Sequence, residues 1–281
     1  MTPPHSLPGE EPPARRWLRG ALVPLVLVLL WQAAASAGLA NVHVLPSPVA
    51  VVTRWWAWLL PDSPFDPAAQ SRLLWLVSGE LIRDARGSLG RVLAGFVLGG
   101  GLALPVGLAL GASPRLYALF NPLLQLLRPL PPIAYIPLAI LWFGLGNPPA
   151  IFLIALGAFF PVLVNTIAGV RHVDSIYLRA ARNLGAGRAT MFVRVILPAA
   201  TPHVFAGLRI GMGTSFIVVI VAEMIAVNDG LGFRILEARE YFWSDKILAG
   251  MLTIGLLGLG LDTLMSRLGD RLLRWHRGFE Q

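Results

Sequence analysis

The sequence predicts an all-α protein that crosses a membrane several times. Hydrophobic residue types make up 56% of the 281 residues and charged types only 14%, whereas soluble domains carry roughly 25% charged residues. The mean hydropathy is +0.67. A soluble fold of this size has too little interior to bury so much apolar surface. The apolar runs are also continuous, whereas the strands of a transmembrane barrel alternate between apolar and polar residues.

The apolar runs indicate about six membrane spans. We expect a disordered cytoplasmic tail at 1–20, a first span at 21–40, a periplasmic or interfacial segment at 41–87, a core transmembrane domain at 88–267 and a basic cytoplasmic tail at 268–281. The first run is long enough to cross a ~30 Å hydrocarbon core. Its last residues, Ala35-Ser36-Ala37, also resemble a signal-peptidase site, so cleavage there is the alternative.

The second span, expected at 89–111, carries small residues along one face. Gly95, Gly99, Ala103 and Gly107 are each four residues apart, and Gly111 continues the series. Residues at this spacing share one face of a helix, and small residues there let another helix approach closely. The pattern predicts a ridge for helix packing, with a glycine-rich face toward lipid as the alternative.

The third span, expected at 120–142, contains five prolines and cannot form a regular helix. Backbone groups freed by a break are tolerated in a membrane only when they are buried in protein or line a wet cavity, and broken helices recur at transport pathways. Arg128, Pro129 and Pro132 are therefore pathway candidates. An interfacial segment followed by a short helix is the alternative. The remaining spans are expected at 149–170, 204–227 and 247–265.

Ionisable residues within the spans are costly and usually face partners or a cavity. Arg209 and Asp262 lie at similar depths in the fifth and sixth spans, so we expect a structural ion pair between them. Arg128 is expected to line the pathway and favour an anion, or else to reach toward the membrane surface. Glu223, near the outer end of the fifth span, is a fourth pathway candidate, with two alternative roles: at an outer gate, or accepting hydrogen bonds from loop amides.

The distribution of Arg and Lys predicts that both termini lie in the cytoplasm. With that orientation, the inner segments carry 13 of the 23 basic residues, the outer segments carry 7 and the spans carry the rest. Cytoplasmic loops of membrane proteins are enriched in Lys and Arg. The net charge of +8 is thereby explained by membrane topology, and we expect no nucleic-acid partner.

The inner segment 171–203 predicts a helix–turn–helix outside the bilayer. Asp174 or Ser175 suits the start of a helix, and Gly185 suits the left-handed residue that ends it. A second short helix is expected to follow and to stop at Pro198.

This segment resembles the EAA loop of ATP-binding cassette (ABC) importer permeases. The matching residues are Arg179, Ala180, Ala181, Gly185, Val195, Leu197 and Pro198, at the spacing of the family motif. Arg179 stands where the family has Glu. From about Arg91 to Trp275 the chain also resembles the nitrate/sulfonate/taurine branch of these permeases, notably at 91–96, 136–144, 222–224 and 230–232.

The resemblance implies an inner-membrane permease that moves a small anionic nutrient, with aliphatic sulfonate, taurine or nitrate as the leading substrates. Pyrimidine or thiamine precursors, bicarbonate and cyanate are the alternatives within the class. It further implies a homodimer of permeases, two cytoplasmic ATPase subunits that hold ATP and Mg, and a periplasmic or lipid-anchored binding protein. The segment 171–203, which we call the coupling loop, would dock on the ATPase.

The residues give no support to catalysis by this chain. Cysteine is absent, the histidines have no metal-ligand spacing, and the single lysine, Lys246, follows Asp245 and so cannot belong to a Walker A loop. We expect no cofactor or metal on the chain. An ion-coupled secondary transporter is the more distant alternative, although the sequence shows neither a clear internal repeat nor a series of intramembrane acids.

Overall fold

The computed structural model describes residues 13–39, 41, 44–61 and 71–273, and every regular element within these ranges is helical. Most of the tail predicted at 1–20, and most of the basic tail predicted at 268–281, lie outside the described residues. The helices are α1 (Pro13–Ser36), α2 (Pro48–Leu59), α3 (Arg72–Val77), α4 (Glu80–Ala112), α5 (Pro114–Leu127), α6 (Ile136–Phe143), α7 (Asn147–Arg171), α8 (Ser175–Asn183), α9 (Arg188–Met191), α10 (Leu197–Ala226), α11 (Leu231–Glu240) and α12 (Ser244–Leu272).

Four helical stretches among the described residues are long and apolar enough to cross a membrane: α4, α7, α12 and the continuous stretch Arg188–Ala226. A bent pair, α5 with Pro132–Phe143, makes a fifth if it crosses as one span. The sequence predicted about six. The difference is α1, of which the stretch Leu22–Ser36 is counted as a shorter apolar helix and not as a span.

The central helix of the bundle is α7, which packs between α4 and α10. The predicted ridge of small residues on α4 faces it. A Cβ atom built on Gly99 would lie 2.1 Å from the Ala155 carbonyl oxygen, and one on Gly95 would lie 2.5 Å from the Ile154 side chain. A Cβ atom built on Gly107 would lie 2.7 Å from Thr166 Cβ. Ala103, on the same face, is fully buried.

The opposite face of α7 is packed equally closely against α10. A Cβ atom on Gly207 would lie 2.7 Å from Asn165 Cβ, and one on Gly211 would lie 3.2 Å from the Ala158 carbonyl oxygen. Because both neighbours approach α7 at backbone distance, α4, α7 and α10 form a closely packed three-helix core.

The proline-rich third span is broken, as predicted. The α5 helix ends at Leu127, a 3-10 turn begins at Pro132, and the helical axes differ by 82°. The segment still traverses the molecule. At one end the Arg171 guanidinium lies 3.9 Å from the centre of the Tyr117 ring. At the other end, the Gly146 N–H donates a 2.7 Å hydrogen bond to the Ala226 carbonyl oxygen.

The prediction that the second helix of the coupling loop stops at Pro198 is wrong. The chain from Arg188 to Ala226 is one helical stretch of 39 residues. A π turn, Phe192–Ile196, precedes the proline, and the Leu197 N–H bonds to the Phe192 carbonyl five residues back. This widened turn accommodates a proline that would clash with the carbonyl four residues earlier in an ordinary α-helix.

Candidate functional site

A groove of about 500 Å³ opens where the third span is broken. Its walls are the bend itself and the facing sides of α7 and α10. The lining residues are Arg128, Pro129, Leu130, Pro131, Pro132, Ile133, Leu156, Gly157, Phe160, Pro161, Val164, Asn165, Ile210, Thr214, Ile217 and Val218. We call this the bend groove. Three predicted pathway residues, Arg128, Pro129 and Pro132, line it; the fourth, Glu223, does not.

The chemistry of the bend groove is mostly apolar with a few polar groups. Arg128 is the one charged residue among the described residues that line it, and Asn165 and Thr214 add neutral polar groups. The Thr214 hydroxyl also donates to the Gly157 carbonyl oxygen at 2.8 Å, which joins α10 to α7 beside the groove. An apolar groove with one cation suits a small solute that carries negative charge.

Glu223 instead belongs to a buried ionic network at the opposite end of the bundle from the coupling loop. Its carboxylate is fully buried and accepts a 2.6 Å hydrogen bond from Arg91 Nη1. The Arg91 guanidinium also bonds Asn147 Oδ1 through Nε, at 2.6 Å, and forms an ion pair with Asp229. Arg91 therefore connects α4 to the start of α7, to α10 and to the loop before α11.

The same network caps the N-terminus of α11. Three successive backbone amides point at side chains of neighbouring helices. Gly230 N–H donates to Asp84 at 3.1 Å, Leu231 N–H to Ser88 at 3.0 Å and Gly232 N–H to Glu223 at 2.9 Å. The first amides of a helix have no partner inside the helix and carry partial positive charge, so carboxylates satisfy them well. The backbone amide that Glu223 accepts from is that of Gly232, in the first turn of α11 and not in the preceding loop.

Arg234 extends the network toward the rim. It forms ion pairs with Glu80, Asp84 and Glu237, each at 3.0 Å. Burial by itself lowers the pKa of Arg234, but the hydrogen bond to Glu237 and the charges of Asp84 and Glu80 outweigh it and raise that pKa, so the guanidinium stays charged.

Arg91, Ser88 and Asp84 were not predicted as site residues. A usable signal existed for Arg91, because a lone cation near the outer end of the second span needs a partner and Glu223 lies near the outer end of the fifth. Ser88 and Asp84 carried no such signal, since they precede the predicted span and bind the Leu231 and Gly230 amides as well as the Glu223 and Arg234 side chains.

The predicted Arg209–Asp262 ion pair is present between α10 and α12. Both guanidinium-to-carboxylate contacts measure 2.8 Å, so the pair has two-point geometry. The two side chains are 48% and 52% exposed. The pair lies on the surface of the bundle and outside the residues that line the bend groove.

The coupling loop has the turn that its sequence predicts. The Asp174 carboxylate accepts from the Ile176 N–H at 2.8 Å and starts α8. Gly185 adopts φ +80°, and the N–H groups of Gly185 and Ala186 bond back to the carbonyls of Arg182 and Ala181. This is the Schellman arrangement that ends a helix on glycine.

The motif residues divide between the two arms of the coupling loop. Arg179, Ala180 and Ala181 lie on α8, which has no buried residue, and Arg179 and Ala180 are exposed. Val195, Leu197 and Pro198 are half-buried at the start of the long stretch that becomes α10. Large apolar side chains are exposed on this element: Ile176, Tyr177, Leu184 and Val193.

The described residues contain no group of three or more His, Asp and Glu side chains that could hold a metal ion. A broken membrane helix beside a groove and a helix–turn–helix with an exposed apolar surface together define a multi-span transport subunit. Residues 101–277 match the family model described as "Binding-protein-dependent transport system inner membrane component". The chain belongs to this family and is a permease subunit of an ABC importer.

Curated relatives cover most of the chain. It is 36% identical over 264 residues to the putative aliphatic sulfonates transport permease protein SsuC of Bacillus subtilis, covering 94% of this chain and 90% of that protein. It is 36% identical to the taurine transport system permease protein TauC of Escherichia coli, covering 89% and 87% of the two chains. It is 30% identical to the nitrate import permease protein NrtB of Leptolyngbya laminosa, covering 92% and 88%.

A solved structure supports the fold. The chain is similar, with a TM-score of 0.58 and 21% identity, to a chain of the MetNI methionine ABC transporter in an inward-facing conformation. The similarity covers 73% of this chain and 98% of that one.

Proposed function

We propose that this permease carries a small anion, an aliphatic sulfonate, taurine or nitrate, across the cytoplasmic membrane in an ATP-driven importer. Two observations support the substrate class. Curated relatives are named for sulfonate, taurine and nitrate transport, and the bend groove offers Arg128 as its one charged group among the described lining residues. Pyrimidine or thiamine precursors, bicarbonate and cyanate are the competing substrates.

The proposed assembly has two copies of this chain, two cytoplasmic ATPase subunits and an extracytoplasmic binding protein. ATP and Mg bind to the ATPase subunits, and this chain supplies no nucleotide site. The exposed apolar residues of the coupling loop suit burial against an ATPase subunit. Arg179 replaces the Glu of the family motif, so its polar contact to the ATPase differs in charge from the usual one.

The observation that carries the proposal is the continuity of the coupling loop with the groove wall. The stretch from Arg188 to Ala226 begins in the coupling loop. It continues past Ile210, Thr214, Ile217 and Val218, which line the bend groove, and reaches Glu223. A displacement of the turn at Gly185 is therefore transmitted along a continuous helical stretch to the groove and to the opposite end of the bundle.

In the proposed cycle, ATP closes the ATPase pair and moves the coupling loops, and the spans open outward to accept the anion from the binding protein. Hydrolysis then returns them to the inward-facing state. The orientation that this requires, with the coupling loop and both termini in the cytoplasm, is supported by the excess of basic residues in the inner segments.

The test is ATP-dependent uptake into vesicles reconstituted with this chain, its ATPase and its binding protein. Taurine, an alkanesulfonate and nitrate are compared as competitors of one another. We expect at least one to be taken up and to require ATP. ATP-dependent uptake of a neutral or pyrimidine-like nutrient instead would overturn the anion assignment, and uptake that continues without ATP hydrolysis would overturn the importer cycle.

Two glycine variants test the coupling step in the same vesicles. Gly185 requires a left-handed backbone, whereas Gly187, at φ −70°, does not, and neither would place a Cβ within 4 Å of another group. Gly185→Ala strains the turn by about 1–2 kcal/mol and should lower uptake per ATP hydrolysed. Gly187→Ala should leave that ratio unchanged. Equal ratios in both variants would contradict the proposed role of the turn.

A further inference from the structure

A second, smaller groove runs between α5 and α7 from the bend toward the coupling loop. Its volume is about 190 Å³, and it shares Arg128 and Val164 with the bend groove. Its other lining residues are Tyr117, Asn121, Leu124, Gln125, Ile167, Ala168, Arg171 and His172. We call this the exit groove. The two grooves therefore meet at Arg128 and form one path along α7.

The α5 wall of the exit groove is polar, which is unusual for an apolar helix. Asn121, Gln125 and Arg128 follow one another at spacings of four and three, so they form one stripe on α5. All three line the groove. Polar side chains in a membrane segment are costly and usually face a partner or a water-filled cavity, so this stripe indicates a path for a hydrated or polar solute.

The far end of the exit groove presents a second guanidinium in a fixed position. Arg171 lies over the Tyr117 ring at 3.9 Å, within the range of a cation–π contact. This contact holds the guanidinium beside the ring, and its N–H groups can donate hydrogen bonds to an oxoanion. The adjacent His172 is anchored by a 2.7 Å hydrogen bond between its Nδ1 and the Ala168 carbonyl oxygen.

Carboxylates are absent from the described residues that line either groove, since none of these is Asp or Glu, so none of them competes for the two cations. From Val164, where the grooves meet, Arg171 lies seven residues along α7, which is about 10 Å at 1.5 Å per residue. Arg128 and Arg171 are thus two separated cationic positions on one path, joined by the amides of Asn121 and Gln125.

We propose that Arg171, positioned by Tyr117, is a second binding position for the transported oxoanion, which passes from Arg128 to Arg171 before release. The inference rests on the proposed function and extends it, because it assigns the inner half of the path and a residue that contacts the substrate there. With two weak sites in series, the second cation stabilises the anion after it leaves the first, so the anion need not cross an apolar segment without a binding partner.

The test measures ATP-dependent uptake by the full importer in vesicles, with kcat and KM for the loaded binding protein determined separately. Arg171→Gln should lower kcat about tenfold, as expected for loss of one charge-assisted hydrogen bond, and leave KM unchanged, because delivery occurs at the other end. Arg171→Lys should restore most of the rate. Arg115→Gln, which removes the same charge from α5 outside both grooves, is the matched control.

Two further measurements separate the alternatives. ATP hydrolysis stimulated by the loaded binding protein is measured beside uptake: uptake should fall more than hydrolysis in Arg171→Gln, whereas a parallel fall in both would assign Arg171 to coupling and overturn the inference. The loss should also persist in vesicles of phosphatidylcholine alone. A loss seen only with anionic lipid would mean that Arg171 binds a lipid headgroup phosphate, which overturns it as well.

The outcomes distinguish this inference from the proposed function. Anion uptake by the wild type together with an unchanged kcat in Arg171→Gln overturns the second binding position alone. Absence of ATP-dependent uptake of all three anions by the wild type overturns both.

Discussion

At the scale of single residues, the buried pair of Arg91 and Glu223 determines the arrangement at the end of the bundle opposite the coupling loop. Both are buried, and between them they join α4, α7, α10 and α11. Breaking such a pair by removing one partner costs about 3–5 kcal/mol, because a buried charge is left uncompensated. The two partners are not equivalent, since Glu223 also accepts from Gly232 N–H and Ser88.

We therefore expect Arg91→Met to destabilise the protein more than Glu223→Gln does. The first variant leaves a buried carboxylate without its cation, at a cost of about 3–5 kcal/mol. The second keeps a carbonyl oxygen for the Gly232 amide and leaves Arg91 paired with Asp229. Thermal unfolding of the purified complex in detergent measures both.

The double variant provides the control for this prediction. Combining Arg91→Met with Glu223→Gln removes the uncompensated charge, so the double variant should unfold at a higher temperature than Arg91→Met alone. Strictly additive losses would show that the two side chains are not energetically coupled.

At the residue scale, the sequence was sufficient to predict contacts between side chains at similar depth in the membrane. It was not sufficient to predict contacts that depend on the position of a loop. Similar depth in adjacent spans predicted the Arg209–Asp262 pair, and the same reasoning applied to Arg91 would have led to Glu223. The amides of Gly230 and Leu231 had no such signal, because their partners on α4 depend on where the loop before α11 folds back.

At the scale of elements, the glycine ridge of α4 sets the distance between α4 and α7. Alanine at Gly99 would place its Cβ 2.1 Å from the Ala155 carbonyl oxygen, whereas alanine at Gly101 meets nothing within 4 Å. The two positions lie on the same helix and differ in the face they occupy. They form a matched pair for measuring the packing, because the change in helix propensity is the same at both.

Gly99→Ala should destabilise the protein by about 1–3 kcal/mol, since the backbones must separate to admit the methyl group. Gly101→Ala should be neutral or stabilise it by roughly 0.5–1 kcal/mol, because alanine is the better helix former. The yield of folded protein and its thermal midpoint report both changes. Equal effects at the two positions would mean that α4 and α7 do not approach as closely as the structure indicates.

The predicted elements show which sequence patterns are sufficient to predict the structure of a membrane helix. Small residues at a spacing of four identified the packing face of α4, and clustered prolines identified the broken span, because both patterns act within one helix. Pro198 gave the wrong boundary because its effect depends on the π turn before it, and a π turn has no comparable sequence signature.

At the scale of the whole molecule, two groups of polar and charged residues lie at opposite ends of the helical bundle. The coupling loop lies where α7 ends, whereas the Arg91–Glu223 network lies where α7 begins and α10 ends. The bend groove and the exit groove lie along α7 between them. The broken span also connects the two ends, through Tyr117 at one and Gly146 at the other. In this arrangement α10 crosses the membrane between residues 184 and 240, which therefore lie on opposite sides. Two crossings, the broken span and α7, lie between residues 115 and 184, which therefore lie on the same side.

Because the chain contains no cysteine, single cysteines can report the sidedness of each segment directly. Leu184 is 88% exposed in the coupling loop, and Arg115 and Glu240 are also exposed. With a membrane-impermeant maleimide on intact cells, Glu240→Cys should be labelled, while Leu184→Cys and Arg115→Cys should react only after permeabilisation. The reverse pattern would show that the orientation is inverted. Labelling of Leu184→Cys and Arg115→Cys from different sides would mean that the broken span returns to the side where it began and that only α7 crosses the membrane between these two positions.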